Sequence, residues 1–175
     1  MTATASASLE RELKALLGEE AVLPGSTREY LSDATESRNL KGRADAIALP
    51  TTANQVAETV AWCYEHDVPV IPRGGGTGFT CGAVPLDGGV VVSLERINKV
   101  RHLDPGLWRA AAEQSQLGGN IATNAGGPHA FKYGVTGAWI TGLEVVLAPG
   151  ALITLGGPIR KDVAGYDLKS LLIGS

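Results

Sequence analysis

Apolar residues first recur at helical spacing. Leu9, Leu13, Leu16 and Leu17 share one face, with Ser8 placed to cap the helix and Gly18 to end it. Residues 24–43 are polar and irregular. Residues 46–49 read as a short strand stopped by Pro50. Thr52 and Gln55 form a capping-box pattern, and Val56, Val60 and Cys63 follow at helical spacing. Residues 68–71 predict a second strand. A strand, helix and strand in so short a space predict a compact βαβ unit with parallel strands. Residues 90–94 predict a third apolar strand.

After Val100 the pattern weakens. Residues 108–116 are alanine-rich without clean periodicity, and glycine dominates residues 118–127. Apolar runs at 143–148 and 151–155, joined by Pro149 and Gly150, predict an antiparallel hairpin. Residues 166–175 predict a short amphipathic helix. No internal repeat is visible. The fold class expected is α+β in two lobes, a small parallel α/β lobe followed by a mainly antiparallel α+β lobe.

Composition narrows the picture. The chain has 175 residues, 44% hydrophobic and 19% charged, as in globular domains. Its net charge of -3 with no basic run gives no electrostatic case for nucleic acid or an anionic membrane. No apolar run approaches transmembrane length. Met1 to Ser8 lacks a basic region followed by an apolar one, so no secretory signal is expected. Cys63 and Cys81 fit neither a disulfide framework nor a four-ligand zinc site, and reduced thiols in the cytoplasm are the expectation.

Of the 23 glycines, many cluster in two places. The first cluster follows the second predicted strand as Pro72-Arg73-Gly74-Gly75-Gly76-Thr77-Gly78. Such a loop exposes consecutive backbone N–H groups that can wrap phosphate oxygens. A Walker A loop is excluded because no Gly-Lys-Ser/Thr occurs here. A Rossmann fingerprint is excluded because the sixth place is Phe79 counting from Gly74, or Cys81 counting from Gly76. The second cluster holds two Gly-Gly pairs, Gly118-Gly119 and Gly126-Gly127, with Asn120 and Asn124 between them. That composition suits close backbone approach to a flat or charged ligand, with amide side chains to meet its edge. A simple surface loop is the lesser alternative for the first cluster, whereas the second, taken alone, reads at least as well as a glycine-rich turn.

The segment from Val68 to Gly78 resembles the pyrophosphate loop of the FAD-linked oxidase family, which shares its fold with vanillyl-alcohol oxidase. Within that family it is most similar to the glycolate oxidase FAD subunit and the D-lactate dehydrogenases. The resemblance implies that Arg73, Gly74, Gly75, Gly76, Thr77 and Gly78 hold the FAD pyrophosphate through backbone amides. The second cluster, running on to Lys132-Tyr133-Gly134, resembles the family segment that passes the flavin. It implies a cofactor role for Gly118, Gly119, Asn120, Asn124, Gly126, Gly127, Tyr133 and Gly134. Residues 30–35, 49–56 and 164–168 are similar to the family in the same order.

Two departures qualify the resemblance. After Asp104-Pro105 a few dozen family residues are missing, so the second lobe is expected to be incomplete. The chain stops at Ser175, where the family continues into a large substrate domain carrying the catalytic or metal-binding histidines. The implied organisation is a lead-in over 1–23, a first FAD-binding lobe over 24–104 and a partial second lobe over 105–175, with the substrate domain absent. Some relatives tether FAD to a histidine in the first loop; Thr77 stands there instead, which implies non-covalent FAD.

The implied activity is oxidation of 2-hydroxy acids, glycolate or D-lactate in type, to 2-oxo acids. Partner subunits of an oxidase complex are compatible with it. No catalytic residue is assigned, and the isolated chain is expected to be inactive. A non-catalytic flavin-binding module and a sugar-nucleotide reductase of the same fold are the alternatives. His66, His102 and His129 lack ligand spacing, so no metal is expected. Cys81 is expected to be a small buried residue, and Arg160, Lys161 and Asp162 a solvated turn.

Overall fold

In a computed structural model of the chain, the structure describes residues 3–35, 40–99, 116–159, 163 and 165–175. His102, the Asp104-Pro105 junction, Ala164, the turn at 160–162 and nearly all of the alanine-rich stretch lie outside the described residues.

The leucine stripe forms α1, Ala3–Leu17, with Leu9, Leu13 and Leu17 buried while Leu16 is exposed. Ser8 is not its cap. Alanine at 3, 5 and 7 carries the helix upstream, and Ser8 instead donates to Glu12 Oε1 at 3.2 Å, one turn on. Helix α2, Ala53–Glu65, begins at Thr52, whose hydroxyl oxygen accepts from Gln55 N. The return arm of the capping box is displaced by one residue, since Gln55 Oε1 accepts from Thr51 N at 2.8 Å. Thr59 and Cys63 are buried on this helix, while Val56 and Val60 are half-buried.

The strands are β1, Val22–Pro24, β2, Ala46–Ala48, β3, Val70–Arg73, and β4, Val90–Ser93. They form one sheet in the order β1-β2-β4-β3. β4 pairs in parallel with both β2 and β3. The two strands of the βαβ unit are therefore parallel but separated by β4. All four β4 residues, three valines and Ser93, are buried, as a strand at the centre of a sheet covered on both faces must be. Antiparallel β1 forms the edge on β2. The sequence pattern predicts no strand there, and β1 owes its place to pairing with β2, more than twenty residues along the chain.

Alternate residues of the sheet feed two cores. Ala46, Ala48, Val90 and Val92 pack with α1 and Cys63. Ile47, Leu49 and Val91 pack with Tyr30 and Ala44. The irregular segment around Tyr30 thus covers the face that the helices leave open.

The second lobe holds α3, Leu117–Ala122, α4, Ala130–Tyr133, the antiparallel strands β5, Gly142–Leu147, and β6, Ala151–Gly156, and α5, Leu168–Leu172. The predicted hairpin is present, and its turn packs on α2. Gly150 has φ +116°, and a Cβ there would stand 2.6 Å from the Cβ of Ala61. Only glycine allows so close an approach with that backbone. The architecture is α+β, with a parallel unit and an antiparallel pair joined across α2.

Candidate functional site

The parallel strands β3 and β4 end side by side, with Leu94 N donating to Arg73 O at 3.0 Å. The glycine loop leaves the sheet here. Among the described residues, none accepts a hydrogen bond from the backbone N–H of Gly74, Gly75, Gly76, Thr77 or Gly78. Consecutive unpaired donors on a glycine-rich turn are the requirement for holding an anion by the main chain.

A clamp fixes the loop from behind. Arg73 turns its side chain away from the loop amides: Nη1 donates to Ser32 O at 2.7 Å and Ala83 O at 3.4 Å, and Nη2 to Glu29 O at 2.9 Å. The guanidinium also lies over the Tyr30 ring, 5.7 Å from its centroid. Burial lowers the Arg73 pKa, and Asp33, Tyr30 and Glu95 oppose that shift. Arg73 is therefore a positioning residue in its side chain. Ala34 N donates to Gly76 O at 3.1 Å, a second tie. Gly76 has φ +67°, and a Cβ there would fall against the Arg73 guanidinium. Glycine is needed at this position on both counts.

The clamp is itself held. The Tyr30 hydroxyl donates to Glu95 Oε1 and the Ser93 hydroxyl to Glu95 Oε2, each at 3.0 Å. Burial and then Glu95 push the Tyr30 pKa up to about 12. Asp33 Oδ1 accepts from Thr35 N at 2.8 Å and from the Thr35 hydroxyl. Cys81, at φ +61°, places its sulfur 3.1 Å from Thr35 Oγ1. It is partly exposed rather than buried, because the left-handed turn lifts it onto the loop surface.

The second glycine segment meets the first at one point. A Cβ on Gly74 would stand 3.5 Å from Gln116 Oε1 and 3.7 Å from Gly119 Cα. Gly118, Gly119 and Asn120 lie in α3, and Cβ positions on Gly78, Gly118, Gly119 and Gly127 face open space. Asn124, at φ +48°, uses Oδ1 to accept from Gly137 N at 2.8 Å, so its acceptor is committed within the lobe. Gly126 would meet Val135, and Gly134 ends α4 at φ +80°. Tyr133 is exposed, with Lys132 Nζ 5.1 Å from its ring centroid. Thr77 is exposed on the first loop.

The side chains that fix the loop, Glu95 and Asp33 with its Thr35 partner, were not singled out from sequence. The one available signal was Asp-x-Thr, a pattern able to close a local turn. His66 stacks on Trp62 at 4.2 Å and contacts its carbonyl at 2.7 Å; His129 is exposed at the head of α4. A cavity of about 700 Å³ is lined by Arg28, Glu29, Leu31, Ser32, Lys41 and Gly42; it shares Glu29 and Ser32 with the clamp, and no glycine-segment residue is in that lining.

The geometry fits a dinucleotide lying along two glycine segments: free main-chain donors on one, open Cβ space on the other, and contact where they meet. Solved structures share the fold. The chain superposes on p-cresol methylhydroxylase with substrate bound at a TM-score of 0.79 and 23% identity, covering 99% of this chain and 41% of that one. It superposes on alkyldihydroxyacetonephosphate synthase at 0.76 and 22%, covering 99% and 41%. By sequence it is 36% identical to glycolate oxidase subunit GlcD of Bacillus subtilis, over 83% of this chain and 36% of that protein. It is 34% identical to D-2-hydroxyglutarate dehydrogenase of Stutzerimonas stutzeri, over 94% and 41%. It is 35% identical to D-lactate dehydrogenase of Anaerostipes hadrus, over 77% and 34%. The chain thus spans little more than a third of the length of these relatives. The sequence profile of the FAD binding domain family matches residues 44–116 and 106–156, two pieces that overlap where the sequence reads as shortened, and the chain belongs to that family.

Proposed function

We infer that this chain is the FAD-binding portion of a flavin-dependent oxidoreductase that oxidises 2-hydroxy acids, glycolate or D-lactate in type, to 2-oxo acids. The observation that carries the reading is the row of unpaired amides from Gly74 to Gly78, set against Gly119 of the second segment. The pyrophosphate belongs on that row, and the flavin ring belongs along the segment that runs from Gly118 to Gly134. The names of the relatives supply the substrate class.

Bound flavin supplies the hydride acceptor for the substrate α-carbon. The protein's own part is positional. Main-chain amides hold the anion, the Arg73 clamp keeps those amides aligned, and Gly118 and Gly119 leave room for close approach. FAD is held without a covalent bond at Thr77, whose hydroxyl replaces the tethering histidine of some relatives. Residues 24–104 and 105–175 are its two lobes. The site works in the cytoplasm, and partner subunits of an oxidase fit the likeness to GlcD. No helix among the described residues is long and apolar enough to cross a membrane.

A non-catalytic flavin-binding module is the second reading, since every group placed at the candidate site binds or positions the cofactor. The test is the visible spectrum after FAD is added and the excess removed, followed by anaerobic addition of glycolate, D-lactate or D-2-hydroxyglutarate. A retained flavin band that bleaches supports the oxidoreductase. A retained band that no 2-hydroxy acid bleaches supports the binding module, and a colourless protein overturns both.

A further inference from the structure

Strand β4 ends at Ser93, and the chain turns at once, with Ile97 N donating to Leu94 O at 3.0 Å. Glu95 stands on that turn. It is beside the point where the glycine loop leaves β3, because Leu94 N bonds Arg73 O. An exposed glutamate is ordinarily free to change rotamer, and holding it costs entropy. Glu95 is exposed, yet both of its oxygens are engaged. Oε1 accepts from the Tyr30 hydroxyl, 65 residues away in sequence, and Oε2 from the Ser93 hydroxyl.

The Tyr30 contact leads to the loop. Tyr30 is 7% exposed and packs with Ile47, Leu49 and Val91 on the covered face of the sheet. The Arg73 guanidinium lies over its ring and bonds the carbonyls of Glu29 and Ser32, which flank Tyr30 in sequence. Ring and guanidinium therefore form one assembly. Burial lowers the Arg73 pKa, and Glu95 is among the charges that oppose that shift. The next residue after Arg73 is Gly74, which carries the first of the unpaired amides. A carboxylate cannot itself hold a phosphate, since both only accept hydrogen bonds. The part open to Glu95 is to act through Tyr30 and Arg73.

We propose that Glu95 is a positioning residue for cofactor binding: by anchoring the Tyr30 hydroxyl it fixes the ring on which the Arg73 guanidinium rests, and so sets the alignment of the loop amides that receive the FAD pyrophosphate. The assignment rests on the FAD reading above. It makes cofactor affinity depend on a side chain that lies outside both glycine segments.

The experiment titrates FAD into the wild-type chain, Glu95→Ala, Glu95→Gln, Tyr30→Phe and the double variant Glu95→Ala/Tyr30→Phe, following flavin fluorescence. The urea midpoint of each protein is measured without ligand, so that every affinity refers to folded chain. Alanine removes both contacts, whereas glutamine keeps an oxygen for the Tyr30 hydroxyl and an amide donor for the Ser93 hydroxyl. The expected result is FAD affinity lower by about fivefold or more in Glu95→Ala and Tyr30→Phe, and within about twofold of wild type in Glu95→Gln. The double variant should bind no more weakly than Glu95→Ala alone, as two residues acting through one contact must. A merely structural role would lower the midpoints and leave the affinities alike. Equal FAD affinity in all five proteins, a glutamine variant as weak as the alanine one, or losses that add in the double variant would each overturn the role of Glu95 and leave the FAD reading standing. Absence of FAD binding by the wild type overturns both.

Discussion

Gly74 rests against Gly119, with only 3.7 Å between the place a Gly74 Cβ would take and the Gly119 Cα. That contact joins two stretches separated by an entire strand and the residues after it. It brings the unpaired amides of the first segment to the open face of the second. A methyl group fits at 3.5–3.7 Å, whereas a branched side chain does not. Gly74→Ala should keep the junction. Gly74→Val should force the segments apart at about 1–3 kcal/mol of overpacking strain and weaken FAD binding about tenfold or more. Equilibrium dialysis with FAD on both variants checks this, and equal binding by the valine variant would remove the junction from the site.

The Arg73 side chain ties the loop to the segment that covers the far face of the sheet. Lysine keeps the charge but has no planar fork to reach Glu29 O and Ser32 O together. Arg73→Lys should lose about 1–3 kcal/mol of stability, read as a lower urea midpoint at unchanged slope. FAD affinity should fall with it, because the amides lose their alignment. A lysine variant with wild-type stability and weak FAD binding would instead show the side chain touching the cofactor.

How far the sequence led is clear from particular residues. The leucine stripe, the α2 cap at Thr52 and the turn at Pro149-Gly150 are local signals, and each sits where its chemistry demands. β1 and the clamp were not legible, because both depend on partners far along the chain. Val22 finds Ala48, and Arg73 reaches back 41 residues to Ser32. No periodicity records such pairings. The glycine clusters mark the candidate site but not its support, since glycine signals where backbone approaches and is silent on what holds it there. Asn124 shows the same limit, its amide oxygen serving the lobe's own backbone.

Asn124 makes a separable prediction. Its left-handed backbone favours asparagine or glycine, and its oxygen accepts from Gly137 N. Asn124→Asp should retain stability, Asn124→Gly should lose the hydrogen bond alone, about 1 kcal/mol, and Asn124→Ala should lose the bond and add backbone strain of about 1–2 kcal/mol. Thermal denaturation should rank the three in that order. An alanine variant more stable than the glycine variant would contradict the assigned geometry.

Alkaline pH should unfold the chain through two named groups. Burial pushes the Cys63 thiol from 9.0 up to about 11, and burial with Glu95 pushes Tyr30 from 10.0 up to about 12. Both groups are nearly inaccessible, at 0% and 7% exposure. In each case the unfolded chain gives up its proton first, so rising pH favours unfolding. The stabilisation is complete below pH 9 and is lost as pH rises through 11 for Cys63 and 12 for Tyr30. Each group adds a slope of about 1.4 kcal/mol per pH unit within its own window. Cys63→Ala should start less stable, by the cavity it leaves, yet lose less between pH 9 and 10 than the wild type. Tyr30→Phe should leave that first decline intact and flatten the one above pH 10. Urea midpoints at closely spaced pH values separate the two, and parallel curves for wild type and Cys63→Ala would show that the thiol plays no part.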